Sequence, residues 1–185
     1  MAGVHLLDPE DGSYNISYIK KYLPHQKVWL VNLVMRDQGL IVPKGNPENI
    51  QSIEDIKNRG LQFINRQPGS GTRILFDYKL KDLGISPEDI KGYQNDEYTH
   101  MSVAVAVLSQ RANTGLGIQA AAQALDLDFI PVVTEEYDLV IPDIFYNTAK
   151  IQVLLETIKT EDFQERVISL GGYSTKNTGR VMLQT

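Results

Sequence analysis

The stretch Leu61-Gln62-Phe63-Ile64-Asn65-Arg66-Gln67-Pro68-Gly69-Ser70-Gly71-Thr72-Arg73 reads as a strand that enters a proline and glycine turn and leaves it as a helix. Gly69 and Gly71 let the backbone turn tightly after the strand. Ile74, Leu75, Tyr78 and Leu83 then keep helical spacing as far as Gly84. A strand joined to a helix by a short turn is the building block of an α/β fold, so the rest of the chain decides whether the alternation continues.

It continues in both directions. Upstream, Ser52-Ile53-Glu54-Asp55-Ile56 carries the cap-plus-acid signal of a helix start. Val28 to Met35 and Gly39 to Val42 are apolar and β-branched and predict two buried strand segments, separated by Arg36-Asp37-Gln38. Tyr14 to Leu23 has helical spacing and ends before Pro24, while Val4 to Pro9 reads as a strand end followed by a turn at Asp11-Gly12. Downstream, Ser86-Pro87-Glu88-Asp89 starts a short helix. Thr99 to Ser109 predicts a helix with Met101, Val105 and Leu108 on one stripe and small alanines suited to close packing elsewhere. A strand over 112–117, a helix over 119–125, strands over 128–133 and 137–141, and helices over 150–159 and 161–170 come next, then a polar tail after Gly171-Gly172-Tyr173. The pattern predicts an α/β fold with a mostly parallel sheet covered by helices on both faces.

Composition narrows the classes of function. At 185 residues there is room for one large or two small lobes, and 42% hydrophobic with 22% charged residues is ordinary for a folded domain. Acidic residues outnumber basic ones by 23 to 18, a net charge of −5 with no basic tract, which argues against direct nucleic-acid binding. Attraction for an anion therefore has to be local. The absence of cysteine removes disulfides and thiolate chemistry. His5, His25 and His100 have no metal-ligand spacing, so no metal or cofactor is expected. No apolar run spans a membrane and no leader pattern opens the chain, so a cytoplasmic protein is expected.

The strongest local signal is the turn from Arg66 to Arg73. Ser70, Gly71 and Thr72 expose amides that the first helical turn cannot satisfy internally, and with the helix dipole and the two hydroxyls they suit an oxyanion. Arg73 in the same turn opposes the dipole, a cost that a bound anion would cancel. An ordinary serine-capped helix with an exposed arginine remains the alternative. The string lacks the lysine of a P-loop and the third glycine of a dinucleotide fingerprint. Asp96-Glu97-Tyr98-Thr99-His100 forms a second cluster at a helix start, in which Thr99 can be a simple cap and His100 either a ligand contact or an ordinary polar residue. Arg36 and Tyr137, each flanked by apolar runs, can line a cleft or sit hydrogen-bonded at a sheet edge.

Taken with His5-Leu6-Leu7-Asp8 before it, and Glu97-Tyr98-Thr99-His100 and Asp128-Phe129-Ile130-Pro131 after it, the string from Asn65 to Arg73 makes an ordered series over nearly the whole chain. The chain thus resembles the periplasmic-binding-protein-like domain (type II) attached to molybdopterin biosynthesis proteins of the MoeA type and to some DNA-binding regulators. It is similar at greater distance to the molybdate- and tungstate-binding proteins, whose lobes close on an oxyanion.

That resemblance implies two lobes with the ligand between them: 1–44 plus 144–185 as the first, and 45–143 as the second. It implies a small anionic ligand, molybdate or tungstate or a molybdopterin-related anion, at Ser70, Gly71, Thr72 and Arg73, with Arg36, Arg66, Tyr98, His100 and Tyr137 as further cleft residues. Relatives carry a strand, a glycine loop with its helix and a second strand before the His5-Leu6-Leu7-Asp8 segment. The first lobe is therefore expected to be incomplete, with an apolar sheet edge covered by self-association. Catalysis is not expected of these residues; the resemblance implies a binding module, fused to MoeA-like transferase domains or to a DNA-binding segment.

Overall fold

By its internal contacts the chain divides into Met1–Arg36 with Glu135–Thr185 (unit 1) and Asp37–Thr134 (unit 2), in a computed structural model that describes residues 1–185. In chain order the elements are β1 (Ala2–Val4), α1 (Ile16–Tyr22), β2 (Val28–Val42), α2 (Ile53–Asn58), β3 (Phe63–Arg66), α3 (Gly71–Asp82) and a 3-10 turn at Pro87–Asp89. Then come β4 (Asp96–Glu97), α4 (His100–Leu108), β5 (Thr114–Ile118), α5 (Gln119–Ala124), β6 (Asp128–Pro142), α6 (Asp143–Tyr146), α7 (Ala149–Thr157), α8 (Glu161–Ser169), β7 (Tyr173–Ser174) and β8 (Val181–Gln184). No helix is long and apolar enough to cross a membrane.

Unit 2 is organised around β3. It pairs in parallel with β4 through Asn65↔Asp96 and Arg66↔Glu97, and in parallel with β5 through Phe63↔Thr114 and Ile64↔Gly115. The crossovers are α3 and α4, as parallel pairs require. Successive residues of a strand point to opposite faces, and both faces are covered. Phe63 stacks on Phe76 of α3 at 4.3 Å, while Ile64 packs with Val103, Ala104 and Val107 of α4. The alanines of α4 and α5 let those helices approach closely, and Met101, Val105 and Leu108 face outward instead. At the start of α2, Asp55 accepts from the amides of Gln51 and Ser52, which holds its carboxyl below the usual range.

Unit 1 repeats the two-faced arrangement. Leu30 packs with Ile19 of α1, and its neighbour Val31 packs with Leu155 of α7. Trp29 stacks on Tyr146 of α6 at 3.9 Å and donates through its indole nitrogen to Asp143 at 2.8 Å. Here the pairs β1 with β6, and β2 with both β7 and β8, are antiparallel.

The sheet is therefore mixed rather than mostly parallel. Parallel pairs are confined to β3 with β4 and β3 with β5, and even in unit 2 the end of β2 runs antiparallel to β5, from Gln38↔Ile118 to Ile41↔Gly115. The breaks expected at Arg36-Asp37-Gln38 and between Val133 and Tyr137 are absent, because each supplies partners for the other. Arg36 pairs with Glu135 in unit 1, and Thr134 donates to Asp37 at 2.6 Å in unit 2. As a result β2 and β6 each run through fifteen residues. The units divide inside those strands, at 36/37 and 134/135, where the sequence placed the division at loops near 44/45 and 143/144. The polar tail is not structureless: it supplies β7 and β8 to the free side of β2.

One close approach within unit 2 depends on glycine. A Cβ on Gly39 would lie 2.1 Å from the backbone oxygen of Ile130 and 2.7 Å from the ring of Phe129. Gly39→Ala is expected to destabilise the protein by about 1–3 kcal/mol, because rigid backbone has to move. Urea unfolding measures it, and an unchanged midpoint would show that Ile130 yields freely.

Candidate functional site

Parallel strands end together, so the loops that leave them gather at one edge. Beyond Arg66 of β3 and Glu97 of β4 the chain turns into α3 and α4, and the Gln67 amide donates to the Glu97 carbonyl at 3.2 Å across the gap. Gly69 makes the first turn at φ +85 with open space around it, so its role is conformational. Ser70 caps α3, its hydroxyl oxygen accepting from the Arg73 amide at 3.1 Å, and the Ile74 amide makes the first bond back to the Ser70 carbonyl. That leaves the Gly71 and Thr72 amides facing out of the helix end. Thr99 caps α4 in the same way, accepting from Ser102 at 2.9 Å.

Arg66 joins the two helix starts. It is buried and donates to the carbonyls of Glu97 at 3.2 Å and Tyr98 at 2.9 Å, and to the Gln67 side chain at 3.2 Å. Its Nη1 lies 3.1 Å from Nδ1 of His100. A guanidinium can only donate, so Nδ1 accepts and the neutral imidazole carries its proton on Nε2. Gly117 of β5 lies beside this ring and leaves room for the Ile41 side chain, which a Cβ would meet at 2.7 Å. Tyr98 stands 73% exposed beside the group.

Five residues that the sequence singled out, Arg66, Ser70, Gly71, Thr72 and His100, thus meet at one edge of unit 2, with Tyr98 at its rim. Arg73 is placed differently. Its side chain is buried, with Nε 3.1 Å from Asp77, Nη1 3.3 Å from the Arg66 carbonyl and the guanidinium 4.0 Å from the centre of the Tyr93 ring. The expected opposition to the helix dipole is answered within the chain by Asp77, and Arg73 braces the first turn of α3 against β3.

Arg36 and Tyr137 come together in unit 1. The Arg36 guanidinium lies 5.0 Å from the Tyr137 ring, and His5 stacks on the same ring at 5.2 Å. Both side chains address Glu135, which the sequence reading missed: Arg36 through Nε, and His5 through Nδ1 at 3.6 Å. Two adjacent acids inside an otherwise apolar run were the available signal. Burial raises the Glu135 carboxyl, but His5 and Arg36 together outweigh it and hold the group below its ordinary value. Asp138, three residues on, shows the reverse. It is fully buried, accepting from Asn15 at 2.8 Å and Asn32 at 2.7 Å, and burial raises it because no cation answers. The buried Tyr14 hydroxyl has no hydrogen-bond partner, and burial with the Glu135 and Glu136 charges pushes its ionisation up.

Known proteins share this architecture. A family model described as a PBP superfamily domain matches residues 1–159. The uncharacterized protein YvgK of Bacillus subtilis (strain 168) is 40% identical over all 185 residues, and the chain spans 59% of its length. The tungstate ABC transporter structure from Geobacter sulfurreducens superposes with a TM-score of 0.60 at 15% identity, covering 90% of this chain and 75% of that one. The regulatory domain of CcmR from Synechocystis PCC6803, in complex with 2-PG, gives 0.59 at 12% identity, covering 72% and 66%.

The carboxylates of unit 1 predict a signed pH dependence. Glu135 is lowered on folding, so its contribution is full above the ordinary glutamate value and is lost as pH falls through the folded one. Asp138 is raised, so its contribution is present below the ordinary aspartate value and is lost as pH rises through the folded one. Glu135→Gln is expected to cost about 3 kcal/mol at neutral pH, since it leaves Arg36 buried without its counter-charge. The gap to the unaltered protein should narrow on acidification; urea midpoints showing an equal gap at pH 7 and pH 3 would refute the linkage.

Proposed function

The chain belongs to the family of PBP superfamily domains, and from that premise we propose that it is a binding module for a small oxyanion at the edge where β3 and β4 give way to α3 and α4. The observation that carries the reading is the convergence of two capped helix starts on Arg66. The Gly71 and Thr72 amides, the dipoles of α3 and α4 and a fixed cation favour negative charge at one place.

The donor set also selects among anions. Amides, guanidinium and the Nε2 proton of His100 donate without accepting, while the Glu97 carboxylate is engaged by Arg111 at 2.8 Å. An oxyanion that is all acceptor at neutral pH, such as molybdate, tungstate or sulfate, matches such a set. Hydrogen phosphate brings a proton that needs an acceptor. The likeness to a tungstate transporter structure agrees with this preference. A role in molybdenum cofactor assembly, as an accessory domain beside MoeA-type transferase domains, belongs to the same proposal and rests on the motif resemblance.

A second reading, an effector-sensing domain that takes an organic anion, is favoured by the exposed Tyr98 ring beside the helix starts and by the likeness to a regulatory domain in complex with 2-PG. Isothermal titration with molybdate, tungstate, sulfate and phosphate separates the two. Molybdate and tungstate are expected to bind, with phosphate weakest. Ser70→Gly keeps a tolerated cap residue while removing the hydroxyl, and should weaken binding about tenfold. Silence toward all four anions would sink the inorganic reading, and unchanged affinity in the Ser70 variant would sink the site.

A further inference from the structure

Arg66 reaches the start of α4 with its side chain, and its own peptide groups are held as well. Its amide donates to Oδ1 of Asn65 at 2.9 Å, and its carbonyl accepts from Nη1 of Arg73 at 3.3 Å. Both partners lead to one residue that no sequence pattern singled out. Buried Asn65 donates through Nδ2 to the Tyr93 carbonyl at 3.2 Å, and the Arg73 guanidinium lies 4.0 Å from the centre of the Tyr93 ring. Tyr93 is itself fixed from several sides. The segment before β4 runs along β3, where the Phe63 amide donates to the Lys91 carbonyl at 2.8 Å and the Asn65 amide to the Asn95 carbonyl at 2.8 Å. Gly92, at φ +86, permits that approach, since a Cβ there would lie 2.3 Å from the backbone oxygen of Phe63. The Tyr93 ring leans on Phe76 of α3, which stacks on Phe63, and its hydroxyl donates to Oδ1 of Asp77 at 2.7 Å.

The ion pair of Arg73 with Asp77 does not fix α3 against β3. The two residues stand four apart on one helix, so their bond travels with it. What ties the guanidinium to the rest of unit 2 is the Arg66 carbonyl and the Tyr93 ring. A cation gains more from an aromatic face as it leaves water, and Arg73 is buried. The Gly71 and Thr72 amides lie between the Ser70 cap and Arg73, so a shift of Arg73 moves them relative to Arg66. We infer that Tyr93 is a positioning residue for the anion site: it acts through Arg73 and Asn65, not on the anion, and sets the place of Arg66 against the first turn of α3. The inference rests on the oxyanion reading of that edge.

Two variants of the full chain test it. Tyr93→Phe keeps the ring over the guanidinium, while Tyr93→Leu keeps the backbone carbonyl and an apolar body and loses the ring. Isothermal titration with molybdate and with tungstate is expected to show binding about tenfold weaker in Tyr93→Leu, at unchanged stoichiometry, and within about threefold of the unaltered chain in Tyr93→Phe. A folding defect lowers the stoichiometry and leaves the affinity of the folded fraction alone, so the two effects are told apart. A second arm needs no ligand: exchange of the Arg73 Nε proton with water, followed by NMR, should be slow in the unaltered chain and in Tyr93→Phe and faster in Tyr93→Leu. Unchanged affinity in Tyr93→Leu, equal weakening in both variants, or Nε exchange indifferent to the ring would each overturn the role of Tyr93. If the unaltered chain bound neither anion, the oxyanion reading would fall by itself, and the exchange arm would still decide whether Tyr93 holds Arg73.

Discussion

A guanidinium inside a protein must find acceptors for all its protons or stay in water. Arg66 is buried at the end of β3 and meets part of that demand with the carbonyls of Glu97 and Tyr98, the Gln67 side chain and His100. Those acceptors belong to the segment that leaves β4, so satisfying one charge draws the start of α4 against the end of β3. The parallel pairing Arg66↔Glu97 sets the level, and the side chain sets the path beyond it. Two caps, Ser70 and Thr99, then begin their helices within reach of a single cation. The Thr99 cap sets where the second helix begins, and the charge ties that beginning to the end of β3.

Unit 1 solves a related problem twice along one strand and reaches opposite results. Glu135 and Asp138 are both buried in β6, yet one is answered by Arg36 and His5 and the other by the carboxamides of Asn15 and Asn32. A cation rewards the ionised form and a neutral amide rewards it less, so burial wins at Asp138 and loses at Glu135. The arrangement is also a tether. Asn15, at φ 66 before α1, accepts from the Leu6 amide while donating to Asp138, which fixes the loop between β1 and α1 to the sheet.

Features that rest on neighbours in sequence were legible from the sequence. The Ser70 cap, the Ser52 and Asp55 pair and the Thr99 cap involve residues three apart, and each forms where the spacing predicts. The polar interruptions of β2 and β6 could not be read that way. Arg36 and Glu135 stand 99 positions apart, and Thr134 and Asp37 stand 97, so each looked like a break until its partner was known. Arg73 misled for the same reason: a cation in a first helical turn looks uncompensated until Asp77 and Tyr93 are seen around it. The strands of the tail are short, polar in part and paired only with β2, far away in sequence, so no local period announces them.

A net charge of −5 repels anions at long range, which makes the source of local attraction matter. Lysines on flexible stems would have to be held in place, and salt would screen them. Amides at a helix start and a guanidinium locked by carbonyls are already oriented, so little is lost in arranging them around a charge. Such a site gains little from raising the general cationic character of the surface and much from geometry at Ser70, Gly71 and Thr72. Affinity for the proposed anion should therefore respond weakly to ionic strength and strongly to anion size and protonation, the reverse of what a surface patch of lysines would show.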